Sequence, residues 1–169
     1  MPVICIIIKL INKMNKVFNW LTNSPVSGQS SILLLRLMAG GVFLWEGILK
    51  FVYVNQGIGR FTKLGFPMPE LTANFVATTE IIGGIFLLVG IFTRFTAIWF
   101  VGEMIVAILC TKVALYLGTS PLPLPPAPPQ VGIWAVLHEI RSDYAQLLTC
   151  VFLLIEGPGK KSLDAYLKK

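Results

Sequence analysis

Four ionisable side chains, Glu46, Glu80, Glu103 and Lys112, stand inside long apolar runs of a 169-residue chain. A charge at mid-bilayer costs ~2.5–3.5 kcal/mol on insertion scales, so such residues turn toward a bundle interior, a partner or a cavity. Carboxyls and amines gathered away from water can pass protons, anchor a ligand, or fasten one helix to another. More such groups flank the same runs: Lys50 one turn after Glu46, Arg60 in the next loop, and His138, Glu139, Arg141 and Asp143 opening the last apolar segment. No metal site is expected from them. The chain has a single His and no Glu-x-x-His, and the nearby bases would repel a cation. Cys5, Cys110 and Cys150 form no C-x-x-C pair, which disfavours a membrane thiol relay. Gly57-Ile58-Gly59 reads as a turn rather than a phosphate loop.

The elements that must position these groups are membrane helices. Hydrophobic residues make up 55% of the chain and charged ones 13%, against about 25% charged in soluble domains. A spanning helix needs ~20 mainly apolar residues, and Ile32–Val54, Leu71–Phe92 and Phe95–Leu117 qualify. Tyr144–Ile155 carries no charge but reaches only ~18 Å as a helix. To span, it must extend back through His138, Glu139, Arg141 and Asp143, which sets those four at the membrane boundary or inside it. The expectation is an all-α integral membrane four-helix bundle in residues 30–157, with helices at about 31–54, 70–92, 95–117 and 138–157. Residues 1–29 form an amphipathic segment and linker, and 158–169 a basic tail.

Net charge of +6 suggests nucleic acid at first sight, but the basic residues flank apolar segments, and no nucleic-acid partner is expected. Lys9, Lys13, Lys16, Arg94, Lys160, Lys161, Lys168 and Lys169 fall on one side of an even number of spans. The positive-inside rule makes that side cytoplasmic. Both termini are then cytoplasmic in a bacterial-type inner membrane, and the 55–69 and 118–130 loops face outward. Val3–Ile8 is too short for a signal peptide, and Met14 is an alternative start. Lys9, Asn12, Lys13, Lys16 and Asn19 share one helical stripe opposite Ile4, Ile7, Ile8, Ile11, Met14 and Phe18, the pattern of a helix lying on an anionic leaflet. Ser30 or Ser31 is placed to cap the first span. The Pro-rich stretch Pro121–Pro129 reads as a stiff spacer or a docking segment, and Trp134 as an interfacial anchor.

Small residues let membrane helices approach closely. Gly40-Gly41-Val42-Phe43-Leu44 with Gly47 is echoed by Gly83-Gly84-Ile85-Phe86-Leu87 with Gly90. Counting depth, these glycines pack mainly the cytoplasmic half. Glu46, Lys50, Glu80, Lys112, His138, Glu139, Arg141 and Asp143, with Arg60 above, converge on an outward-facing vestibule. Glu103 falls in the inner half, without an assigned partner. The pairings open to these residues are Glu46–Lys50, Glu80 with Lys112 or Arg36, and Arg141 with Glu139 or Asp143.

Arg36, then Gly40-x-x-Phe43-x-x-x-Gly47-x-x-Lys50, Gly65-Phe66-Pro67-Met68-Pro69, Glu80 before Gly83, Gly90-Ile91-Phe92-Thr93-Arg94, and Gly157-Pro158-Gly159-Lys160-Lys161-Ser162-Leu163-Asp164 form an ordered set. Over roughly residues 31–166 the chain resembles the DoxX family of small four-helix membrane proteins. It departs in carrying Glu46 where many members have His, in the manner of a subgroup. The resemblance implies membrane redox chemistry linked to quinones, with the chain as accessory subunit of an oxidoreductase. No intrinsic cofactor is expected, and a quinone is the implied ligand. The lipid bilayer, a redox enzyme subunit and further copies of the chain are the implied partners. Two other readings stay open: the charges are helix–helix ion pairs of an assembly subunit, or the vestibule is one end of a proton or small-solute path.

Overall fold

The computed structural model describes residues 2–22, 26 and 28–167, with side chains from Ile6 onward in the first helix. It contains α1 (Pro2–Thr22), α2 (Ile32–Val52), α3 (Ile58–Lys63), α4 (Pro69–Val89), α5 (Thr93–Leu117), α6 (Ile133–Glu139), α7 (Arg141–Glu156) and α8 (Leu163–Tyr166). Among the described residues there is no strand. Three helices, α2, α4 and α5, are long and apolar enough to cross a membrane. The segment expected to make one helix over about 138–157 is divided instead. α6 starts earlier, at Ile133, and stops at a corner on Ile140. There the Arg141 guanidinium takes the His138 carbonyl at 2.8 Å, an acceptor that a continuous helix would give to a backbone N–H.

α2 lies along α4, α5 along α7, and α7 and α4 complete the contacts with α2 and α5 respectively. The α2–α4 approach is set by glycine. A Cβ on Gly40 would fall 2.8 Å from the Gly84 carbonyl, and one on Gly84 2.8 Å from the Gly40 carbonyl. Further along, a Cβ on Gly47 would stand 2.7 Å from the Ala77 carbonyl, so α2 rests directly on the α4 backbone. Gly83 leaves room for Phe100 of α5, whose ring stacks on Phe43 of α2 with centroids 3.6 Å apart and planes within 7°. Ile32, Ala39, Leu87, Ala97, Cys150 and Leu153 fill in around this stack.

The two glycine-rich stretches do not play equivalent parts. Gly41 faces only Trp45 of its own helix, so it is not a helix-contact glycine. Phe43 is buried, whereas its counterpart Phe86 is half-buried and tilts against Phe92 at 6.1 Å. Gly90 is no packing residue of the Gly40 kind either. It ends α4 with φ 77° and lies beneath the Arg36 side chain, where any Cβ would collide.

That guanidinium organises one end of the molecule. Arg36 is 1% exposed and does not pair with Glu80. Its Nε donates to the Leu87 carbonyl at 2.9 Å and Nη2 to Leu88 at 3.0 Å. Nη1 donates to Pro158 at 2.9 Å and Lys161 at 2.8 Å, tying the C-terminal tail down. Asp164 then docks on the α4–α5 turn: its backbone N–H reaches the Gly90 carbonyl at 3.0 Å, and its carboxylate accepts from Phe92 N at 3.3 Å and Thr93 N at 3.5 Å. A carboxylate there meets the unpaired N–H groups and positive pole of α5. Arg94 repeats the pattern with the Ile155 carbonyl at 2.7 Å and the Trp20 carbonyl at 3.4 Å, its guanidinium 4.2 Å from the Trp20 ring centre. Trp20 thereby fixes the end of α1. The expected serine cap is missing, since Ser31 makes no side-chain capping bond to α2.

Gly84→Val should lower stability in detergent by ~1–3 kcal/mol or more, since backbone cannot yield to the added methyls. Gly102→Ala, where a Cβ meets nothing within 4 Å, should be neutral or slightly stabilising; thermal unfolding of the two variants separates them. Arg36→Lys should free the tail. Trypsin would then cut at Lys160 and Lys161 at least about tenfold faster than in the parent, given roughly 1.5–3 kcal/mol per charge-assisted bond lost.

Candidate ligand site

At the other end the helices part around charged groups. Lys50, in the last turn of α2, reaches across to α4, with Nζ 2.6 and 2.8 Å from the two Glu80 carboxylate oxygens. Gly47, one turn earlier, makes this possible: a Cβ there would stand 3.0 Å from that of Glu80. The i,i+4 pairing of Lys50 with the Glu46 side chain therefore gives way to a cross-helix pair, and Lys50 touches only the Glu46 backbone carbonyl, at 3.5 Å. On the other helix pair, Lys112 of α5 meets Asp143 in the first turn of α7 at 3.2 Å. These two pairs replace the expected Glu80–Lys112 and Asp143–Arg141 combinations.

Between the α2–α4 and α5–α7 pairs lies a cavity of about 840 Å³. Seven of the nine residues expected in the vestibule line it: Glu46, Lys50, Arg60, Glu80, Lys112, Glu139 and Asp143. His138 and Arg141 do not. The corner at Ile140 turns both outward, where they are exposed and Arg141 is bonded to the His138 carbonyl. Aromatic wall comes from Phe61, Phe66 and Trp99. Phe61 anchors the short helix α3 over the cavity, its ring 5.2 Å from that of Phe66.

Glu103, left without a partner by the sequence, joins the site. It faces the Glu80 carboxyl and the Trp99 indole and lines the same cavity. Glu103 is the eleventh residue of 25 in α5, still before the midpoint, and Glu80 is the twelfth of 21 in α4, just past it. Both carboxyls thus sit near mid-helix and level with each other. Gln146 was not singled out by the sequence at all. It lies one turn beyond Asp143 on α7, is 8% exposed, and lines the cavity. The i,i+3 spacing from Asp143 was the available signal. Two oxygens here, Glu103 Oε2 and Gln146 Oε1, are buried without a hydrogen-bond partner, as are Thr93 Oγ1 and Arg94 Nε at the other end.

Among the described residues no three His, Cys, Asp or Glu side chains group as metal ligands. Cys110, at the cavity, and buried Cys150 are both free thiols. Chemically, the site can hold an aromatic or polar guest and relay protons along neighbouring carboxyls; its ion pairs also bridge helices. Lys50→Met leaves Glu80 buried beside Glu103 without its counter-charge and should cost about 3–5 kcal/mol. Converting both Lys50 and Glu80 to Met should recover most of that loss, with thermal unfolding in nanodiscs as the measurement.

The DoxX family model matches residues 31–113, which takes in α2 to α4 and most of α5, including Lys50, Glu80, Glu103 and Lys112. An uncharacterized membrane protein of Mycobacterium tuberculosis is 36% identical over 157 residues, covering 89% of this chain and 90% of its own. A Bacillus subtilis protein, CatD, provisionally named an oxidoreductase, is 28% identical over 138 residues, 81% of this chain and 87% of its own. No solved structure matches the chain. With an apolar all-helical fold and near full-length similarity to a membrane protein, the chain belongs to the DoxX family.

Proposed function

We propose that this protein is a membrane component of quinone-linked redox chemistry and that its ligand sits in the cavity between the two helix pairs. The observation that carries the reading is one space of about 840 Å³ combining aromatic walls with two ion pairs and a facing pair of carboxyls. Ligand pockets run to about 300–1,000 Å³. A quinone needs a flat apolar slot for its ring and proton-exchanging groups at its oxygens. The name of the Bacillus subtilis relative, an oxidoreductase, agrees with this chemistry. The chain's own role is that of an accessory subunit, acting with a redox enzyme or as a homo-oligomer.

In this reading α6 and α7 together make a fourth crossing. Ile133–Glu156 would reach roughly 36 Å if straight, enough for a core of roughly 30 Å even with the corner. The Arg36–Arg94 end, with the tail lysines, is cytoplasmic by the positive-inside rule, both termini lie there, and the cavity opens toward the far side of a bacterial-type inner membrane. α1 lies along the cytoplasmic leaflet with Lys9, Lys13 and Lys16 toward the headgroups.

Glu80→Gln and Lys112→Met should each weaken quinone binding to nanodisc-embedded protein about tenfold, with a parallel fall in dependent oxidase activity in membranes. Unchanged binding and activity in both variants would overturn the reading. One further observation favours a second reading: each ion pair joins two helices, Lys50–Glu80 linking α2 to α4 and Lys112–Asp143 linking α5 to α7. As fasteners only, the pairs would tolerate a Lys50→Glu/Glu80→Lys exchange with stability and partner activity both kept.

A further inference from the structure

We propose that the cavity's ligand is a tailed amphiphile dissolved in the bilayer, which enters sideways through the seam between α4 and α5 and leaves its apolar chain lying in that seam over Gly102. The proposal rests on the reading above that the cavity holds the ligand. It adds the route of entry, the chemical class of the ligand's second half and the residues that hold it.

The two helix pairs leave two seams between them, and the seams are not alike. α4 touches α5 far less than it touches α2. The two meet closely where Gly83 admits the Phe100 ring and the Thr96 side chain. Elsewhere along the seam the cavity wall is also outer surface. Phe75 of α4 and Ile98, Trp99, Gly102 and Val106 of α5 all line the cavity, and all are exposed. Ile98, Gly102 and Val106 recur every four residues and so form one stripe along α5. Residues that border both the inner space and the outside stand on the rim of an opening. Across the bundle, among the described residues, the α2 side chains lining the cavity are buried or half-buried. Of those on α7, only Ser142 in the first turn is exposed.

On this rim Phe75 and Trp99 meet edge-on across the seam, with ring centres 5.7 Å apart. Beside Trp99, Gly102 contributes no side chain, and a Cβ there would meet nothing within 4 Å. The gap is therefore open between the aromatic pair and Val106. Gly102 is the tenth residue of 25 in α5, about 14 Å from the start of the helix. That depth is near the middle of a core roughly 30 Å thick, where the surroundings are hydrocarbon. An ion or a sugar does not arrive from there. An amphiphile does: its head passes inward to Lys50, Glu80 and Glu103, which line the same cavity, and its chain stays among Phe75, Trp99 and Val106. The outward end suits such a molecule less well. α3 lies over it with Phe61 buried, and a chain taking that way would first have to cross water, against the hydrophobic effect.

The test uses the full chain in nanodiscs, titrated calorimetrically with decylubiquinone and, separately, with the same ring lacking its decyl chain. Gly102→Leu fills the seam at a point clear of both ion pairs. It should weaken decylubiquinone at least about fivefold, as overfilling an occupied space does, while the chainless ring binds as it does to the parent. Comparing each ligand with itself across the two proteins cancels its partition into lipid. Equal weakening of both ligands, or of neither, overturns the inference and leaves the cavity reading standing. Binding of neither ligand to the parent overturns both. A second measurement needs the parent alone and decides the matter should Gly102→Leu fail to fold. A decylubiquinone analogue with a diazirine at the chain end is photolysed with and without excess decylubiquinone. The label that the competitor suppresses should fall on Phe75, Trp99 or Val106. Suppressible label on α3 or on α2 and α7 instead, or none at all, overturns the inference.

Discussion

The close approach of α2 and α4 through Gly40 and Gly84 is the constraint on which the remaining architecture depends. Lipid is as apolar as the helix surfaces, so association there comes from packing rather than from escape from water. Backbone contact at two points, Gly40 on Gly84 and Gly47 on Ala77, leaves one register for the pair. In that register Lys50 lies across from Glu80. The same α4 face, through Gly83, admits Phe100 and so brings α5 to the depth at which Glu103 meets Glu80. The charges meet because residues without side chains decide where the helices stop.

The two ends of the molecule hold their charges with different partners, backbone carbonyls at one and carboxylates at the other. At the tail end, the buried guanidiniums donate to backbone carbonyls and a carboxylate sits on free N–H groups, while Arg94 Nε and Thr93 Oγ1 stay without a partner. Carbonyl acceptors offset much of the cost of burying two guanidiniums there. At the cavity end, two ion pairs hold the helices while acceptor oxygens remain unmet.

Much of the helical frame was legible in the sequence because three long apolar windows have a length that only a bilayer explains. The gathering of Glu46, Lys50, Arg60, Glu80, Lys112, Glu139 and Asp143 followed from helical spacing and depth. Partners did not follow. Glu46–Lys50 looked natural as an i,i+4 pair, but Gly47 brings a second helix within reach, and a carboxylate on α4 outcompetes one on the same helix. Glu103 stays before the midpoint of α5, as counted, but the cavity reaches down to its level, which a depth count alone does not reveal. The corner at Ile140 depends on one arginine taking a carbonyl three residues back, which hydrophobic periodicity does not register. Asp164 and Arg36 are far apart in the chain, and no local pattern announces that a tail will close over the first span.

That separation has a consequence for how the protein is made. Arg36 finds its first acceptors 51 and 52 residues later and its last two 122 and 125 residues later. A ribosome delivers these in order, so the Arg36 guanidinium is unmatched when α2 is made and half-matched until residues 158–161 emerge. Residues 158–161 are thus a latch set after the helices, and a chain stopped before Pro158 would leave Arg36 Nη1 without its two acceptors.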